Sequence, residues 1–232
     1  MPMIDPGRRP AAHRGVAACS HEGVPSWSVV VPAKRLAVAK TRLRPLTSAF
    51  GNGHDALVLA LLADTVAAAT ACPVVGEVVV VTDDPAAAEL VRELGARTVA
   101  DEPDAGLNAA LEHGASVACE PVVAALSSDL PALRPPELAA ALAAAGAHPR
   151  AFVADAQGTG TTLLTAVGVP LEPHFGRGSA ESHRSGGAVA LSGHWPGLLR
   201  DVDTEADLRD ALALGSGPRT AALVDRLLPP RD

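Results

Sequence analysis

The chain contains no tyrosine and only three phenylalanines and two tryptophans among 232 residues. So few rings exclude a core of aromatic plates. Abundant alanine, valine and leucine must fill it in small aliphatic layers, which suits helices packed on a sheet. Cysteine is scarce too: Cys19, Cys72 and Cys119 are odd in number, far apart and without a C-x-x-C pair. That excludes a disulfide framework and a structural zinc site and leaves reduced thiols. No uninterrupted apolar run approaches the ~20 residues that span a bilayer, and the N-terminal segment 1–26 has no hydrophobic signal core. The expectation is a soluble, cytoplasmic protein with no membrane partner. A net charge of -7 and a pI near 5.6 also exclude a broad nucleic-acid-binding face, which would have to be basic.

Several catalytic signatures are missing. The chain has no G-x-x-x-x-G-K-[ST] loop, no G-x-S-x-G elbow and no plausible Cys-His pair, and His174, His183 and His194 lack metal-ligand spacing, which leaves them surface or hydrogen-bonding roles. Walker-type hydrolysis and covalent catalysis therefore lose their usual carriers.

What the chain does have is alternation. Residues 1–26 mix proline, glycine, arginine and histidine without periodicity and read as a tail outside the fold, and 27–228 reads as one domain. WSVVVP is a buried strand, HDALVLALLADTVAAAT a helix, and EVVVVTDD a second strand. Asp84-Pro85 is a helix start, with aspartate as cap and proline in the first turn. RTVA, LNAALEHGASVA, PVVAAL and PPELAAALAAAG continue the β-α-β-α order. This predicts a parallel sheet with helices on both faces. After residue 146 the pattern loosens into AFVADA, TTLLTAV, FGRGS, a short helix, AVAL and LLRDVD, read as a mixed extension of the sheet, before two further helices.

In open parallel sheets ligands sit beyond the carboxyl ends of the strands. After the first strand, Lys34, Arg35, Lys40, Arg42 and Arg44 fall within eleven positions. A solvated basic face would account for an ordinary charge run. This one leaves a buried strand where a phosphorylated ligand belongs, and Lys34, Lys40 and Arg42 offer the point and forked donors that a polyphosphate takes. After the third strand, Asn108 lies just inside a helix whose N-terminus should face that edge, which makes it a ligand candidate. After the fourth, Asp129 in SSDLPAL is either an Asx-turn residue or a carboxylate for a nucleotide-bound magnesium ion. The segment LLRDVDTEADL, read as a late strand, supplies Asp201 and Asp203. Asp203 or Thr204 should cap the next helix, leaving Asp201 as partner to Asp129. GTGTT at 158–162 and FGRGS at 175–179 bring backbone donors and hydroxyls suited to a second anionic group.

Taken in order, VVPAKRLAVAKTRL, VTDD, LNAALEHG, SSDLPAL, GTGTTLL, FGRGSAESH and DVDTEADL resemble the motifs of the 2-phospho-L-lactate and phosphoenolpyruvate guanylyltransferases of coenzyme F-420 biosynthesis. The resemblance implies a Rossmann-like three-layer α/β/α nucleotidyltransferase with a mostly parallel sheet. It also implies that Thr161, Gly176 and Ser179 bind phosphoenolpyruvate, that Asp129 and Asp201 bind Mg²⁺, and that Lys34 and Lys40 belong to the nucleotide loop. In the implied reaction a phosphate oxygen of the acceptor attacks the α-phosphorus of GTP and pyrophosphate leaves. The acceptor is already an anion, so catalysis consists of aligning and neutralising two polyanions, and Lys34, Lys40 or Arg42 would stabilise the leaving pyrophosphate.

The alanine- and arginine-rich, lysine-poor composition points to a high-GC source such as an actinobacterium, which by analogy favours phosphoenolpyruvate as acceptor, with 2-phospho-L-lactate as the alternative. Two other readings stand beside this one. Another nucleotidyltransferase of the same fold would normally carry a glycine-rich L-x-G-G loop, which Pro32-Ala33-Lys34 lacks. A silent nucleotide-binding module would have little use for Asp129 and Asp201 together. The reading leaves the oligomeric state open, a homodimer included.

Overall fold

The computed structural model describes residues 26–33, 40–47, 51, 53–102 and 104–227. Its seven strands form one sheet in the order β3-β2-β1-β4-β6-β5-β7. The strands are β1 (Trp27–Pro32), β2 (Val75–Val81), β3 (Arg97–Val99), β4 (Val122–Leu126), β5 (Arg150–Ala154), β6 (Thr161–Val167) and β7 (Val189–Ala190). β3, β2, β1 and β4 are mutually parallel, whereas β6 runs antiparallel to both β4 and β5. The predicted parallel sheet with a mixed extension is the one found.

Val29, Val30 and Val31 are all fully buried because β1 is covered on both faces. Such a strand reads as a continuous apolar run rather than an alternating one. Val29 and Val31 pack with α2 (Gly53–Thr70), α3 (Pro85–Glu93) and α5 (Pro135–Ala145), while Val30 packs with α4 (Leu107–Ser116) and α6 (Ser179–Ser185) on the opposite face. α4 comes close enough to the sheet that a Cβ at Gly114 would lie 2.4 Å from the Val30 side chain.

α2 is apolar all round for the same reason as β1. Leu62, Val66 and Ala69 face the sheet, while Leu57, Ala60 and Leu61 pack against α8 (Glu205–Leu214) and α9 (Pro218–Leu227). By length and composition α2 could cross a membrane, but 67% of that window is buried inside the protein, so core packing accounts for its character. The buried Asp64 of α2 accepts from the backbone N–H groups of Arg219 and Thr220 at 3.2 and 2.8 Å, anchoring the start of α9. Aliphatic residues do fill the core, and Phe152 is its largest fully buried side chain.

Asp84 caps α3 as expected, its Oδ1 accepting from Ala86 and Ala87 N–H at 3.0 and 3.1 Å. One expected element is absent: residues 200–204 form no strand. Leu198 and Val202 are both fully buried, but the apolar pair 198–199 belongs to the short helix α7 (Pro196–Leu199), opened by its proline, and an extended connection follows. Thr204 supplies the cap of α8, forming a capping box with Asp207. Residues 1–25 of the N-terminal tail and Lys34 lie outside the described residues.

Candidate active site

Because β5 and β4 both oppose β6, β5 runs parallel to β4. The carboxyl ends of β1, β4 and β5 therefore share one edge with the beginning of β6. A cavity of about 910 Å³ opens there. Its lining divides into a charged half and a neutral half.

The charged half starts at Asp129, just beyond β4 and 7% exposed. The adjoining Leu130 N–H is fixed by the Thr65 hydroxyl of α2 at 2.9 Å. The carbonyl of Asp129 accepts from Val202 N–H at 3.1 Å. That single backbone bond does the work expected of a late strand, since it brings the flanking Asp201 and Asp203 to Asp129. The Lys40 ammonium donates to Asp129 Oδ2 and, at 2.5 Å, to Asp203 Oδ1. Lys40 takes a left-handed backbone conformation, with φ 46°, unusual for a residue with a side chain. Burial alone would lower its pKa, but the charges of Asp129 and Asp203 outweigh burial and hold it above the ordinary lysine range. Asp201 has the opposite fate. Burial, reinforced by repulsion from Asp129 and Asp203, pushes its pKa to about 7 against partial relief from Lys40.

Asp155 follows β5 into the same cavity. Its carboxylate accepts from Thr159 and Gly160 N–H at 2.9 and 2.8 Å, folding the GTGTT turn back on itself. A Cβ at residue 160 would lie 2.3 Å from Asp155 Oδ2, so a side chain there would displace the carboxylate that folds the turn. Among the described residues, no three of His, Cys, Asp and Glu form a ready-made metal cage. Asp129 and Asp203 instead converge on the ammonium of Lys40.

The neutral half is made of the GTGTT and FGRGS segments, which carry no formal charge apart from the exposed Arg177. Thr161 opens β6, 7% exposed, and its hydroxyl lies 2.9 Å from Nδ1 of His183 in α6. Nε2 of the same ring accepts from His174 N–H at 2.9 Å. The Phe175 ring meets the imidazole edge-on, 5.2 Å between centroids. Burial, with a smaller contribution from His174, lowers the His183 pKa to about 4, so the ring is neutral at physiological pH. Gly178, at φ 74°, turns the chain into α6, and Gly176 and Ser179 line the cavity with Arg177 between them. Ala180 N–H donates to Thr159 O at 3.1 Å, tying the two segments together.

Asn108 does not line the cavity. Its Nδ2 donates to Phe175 O at 3.2 Å and its Oδ1 accepts from Phe175 N–H at 2.8 Å, so the amide is spent holding the FGRGS segment. Arg42 lines the cavity from the 3-10 turn after Lys40 and is exposed. The structure thus brings Lys40, Arg42, Asp129, Asp201, Thr161, Gly176 and Ser179 to one cavity and sets Asn108 behind its wall. Two lining residues escape the sequence reading: Asp203, read there as an alternative to Thr204 for the helix cap, and Asp155, given no part. His183, read as a surface or hydrogen-bonding residue, is the latter, bonded to Thr161 and His174. Asp155 obeys the strand-end rule once the direction of β5 is known. His183 left no local signal, since its polar partners are 22 and 9 residues away.

Residues 27–227 match the family model described as "Guanylyl transferase CofC like". A phosphoenolpyruvate guanylyltransferase of Geodermatophilus obscurus is 70% identical over 204 residues, covering 87% of this chain and 95% of that protein. One from Salinispora arenicola is 56% identical over 206 residues, covering 88% and 95%. Among solved structures, a nucleotidyl transferase from Methanothermobacter superposes with a TM-score of 0.57 at 21% identity, covering 82% of this chain and 97% of the other. That likeness establishes the shared nucleotidyltransferase fold, and the match across nearly the whole described chain establishes the rest: this protein belongs to the CofC-like guanylyl transferase family.

Proposed function

We propose that this enzyme transfers the guanylyl group of GTP to the phosphate of phosphoenolpyruvate. The products are enolpyruvoyl-2-diphospho-5'-guanosine and pyrophosphate, and the step serves coenzyme F-420 biosynthesis in the cytoplasm. The observation that carries this reading is the division of one cavity into an aspartate-rich half and a neutral, donor-rich half, in a chain 70% identical to a relative named for this reaction.

The donor set suits a hard divalent cation such as Mg²⁺. Asp129, Asp201 and Asp203 offer carboxylate oxygens, and an ammonium already occupies the point between Asp129 and Asp203. Asp129, Asp201 and Asp203 would hold the ion, which when bound supplies charge neutralisation on the phosphates and a template for in-line attack. The chain's own groups do the rest. Thr161, Ser179 and the backbone around Gly176 hold the acceptor, with its phosphate oxygen directed at the α-phosphorus. That oxygen is already anionic, so no general base is required. Lys40 and Arg42, with Lys34 from the same loop, neutralise the departing pyrophosphate.

The test is to incubate the purified chain with GTP, Mg²⁺ and, in turn, phosphoenolpyruvate, 2-phospho-L-lactate or 3-phosphoglycerate, and to measure pyrophosphate. Release with phosphoenolpyruvate is expected. Silence with every acceptor would refute the enzyme, and preference for ATP or CTP would refute the guanine assignment.

A further inference from the structure

We infer that His183 is a positioning residue that fixes the Thr161 hydroxyl as a hydrogen-bond donor to the anionic acceptor. The assignment rests on the reading of Thr161 as an acceptor-binding residue; its hydrogen-bond logic comes from geometry alone. A backbone N–H can only donate, and His174 N–H points at Nε2 from 2.9 Å. Nε2 must therefore present its lone pair, which excludes both the Nε2-protonated tautomer and the imidazolium. A neutral ring then carries its one proton on Nδ1. Nδ1 lies 2.9 Å from Thr161 Oγ1 in a pocket where His183 is 2% exposed, so no water competes for that proton. Nδ1–H donates and Oγ1 accepts.

A hydroxyl has one proton and two lone pairs. With one lone pair engaged by His183, the proton of Thr161 turns off the imidazole axis, on the side of the residue that lines the cavity. Were the ring to accept at Nδ1 instead, Thr161 would spend its proton on histidine and present only lone pairs to an anion. His183 thus decides the polarity of a contact it does not itself make. Its packing keeps the decision in place: the buried ring lies beside Phe152 and Phe175. The same ring fixes His174, one residue before the FGRGS segment, so one imidazole sets both the hydroxyl donor and the loop.

Two measurements test this. In uniformly ¹⁵N-labelled full-length protein, long-range ¹H–¹⁵N correlation spectra report each histidine tautomer, and His183→Gln identifies the signals of residue 183 among the eight histidines. A neutral, Nδ1-protonated ring is expected at pH 7; an Nε2-protonated or averaging ring would overturn the inference. The second measurement is kinetic. His183→Gln keeps an acceptor near the Nε2 position but loses the donor to Thr161, whereas His183→Asn keeps a donor near the Nδ1 position. We expect His183→Gln to raise the KM for phosphoenolpyruvate about tenfold, the scale of one hydrogen bond to a charged group, with the KM for GTP unchanged and a smaller rise in His183→Asn. In a Thr161→Val background, which has no hydroxyl left to orient, His183→Gln should add nothing further. Additive effects, or equal losses for GTP and phosphoenolpyruvate, would reduce His183 to a packing residue. If the parent chain does not guanylylate phosphoenolpyruvate, the functional reading fails by itself, and the spectra still decide the tautomer.

Discussion

The two halves of the cavity solve opposite problems. On the charged side, Asp129 and Asp203 share one ammonium, and Asp201 is pushed toward protonation by burial and by the charges of those two carboxylates. On the neutral side, each key group is already partnered: Asn108 with both backbone groups of Phe175, and His183 with Thr161 and His174. Electrostatic frustration in one half and satisfaction in the other match the two kinds of binding proposed. Cations must be attracted to a site that is incomplete without them, whereas a small acceptor must meet donors that are already aligned.

The largest blow to this contrast should come from Asp129→Asn. It removes a buried carboxylate paired with Lys40 while preserving shape, and turnover should fall by at least about a hundredfold with the circular-dichroism spectrum unchanged. Full activity would dismiss the metal assignment. Lys40→Met should come next. Without the ammonium, Asp129 and Asp203 are left facing each other, and the metal-free protein should lose about 1–3 kcal/mol of stability. Thermal melts in EDTA and in Mg²⁺ would check this; the deficit should shrink when Mg²⁺ is present, and a deficit indifferent to Mg²⁺ would argue against Lys40 as the stand-in. Asn108→Ala addresses the opposite half. Releasing Phe175 should raise the phosphoenolpyruvate KM about tenfold and leave the GTP KM alone, and parallel changes in both would erase the division between the halves.

The smallest effect concerns pH. The Asp201 carboxyl titrates at about 7 in the folded protein against 3.8 ordinarily. Between those values the folded state holds the proton more tightly, so this contribution is complete at low pH and is lost as pH rises toward 7. His183 acts with the opposite sign: its pKa falls from 6.5 to about 4, so its contribution is complete above 6.5 and is lost as pH falls. Asp201→Asn deletes the first effect and spares the second. The Tm of that variant, measured in EDTA, should therefore climb more steeply from pH 5 to 7 than the parent's, and identical slopes would contradict the shift at Asp201.

Much of this was legible in the sequence. The valine runs of β1 and β2, the Asp84-Pro85 start and the glycine-bounded helices carry their own local physics, and the strand-end rule found Asp129 without a structure. The failures share a cause, which is that the deciding contact is remote. The segment LLRDVD reads as a strand, yet the partner of Val202 is a lone carbonyl 73 positions earlier. Asn108 was placed correctly at a helix start, but what its amide would meet depended on a loop 67 residues away. Asp155 could not be placed before the direction of β5 was known.

The bond from Val202 N–H to the Asp129 carbonyl also bears on how the protein is made. A chain emerging from the ribosome can complete β1 to β4, and with them Asp129, long before Asp201 and Asp203 exist. It then holds one of the three carboxylates proposed to hold the ion. The proposed set is complete only when residue 202 reaches the end of β4, so metal capture by it would be a late event that reports a nearly finished fold.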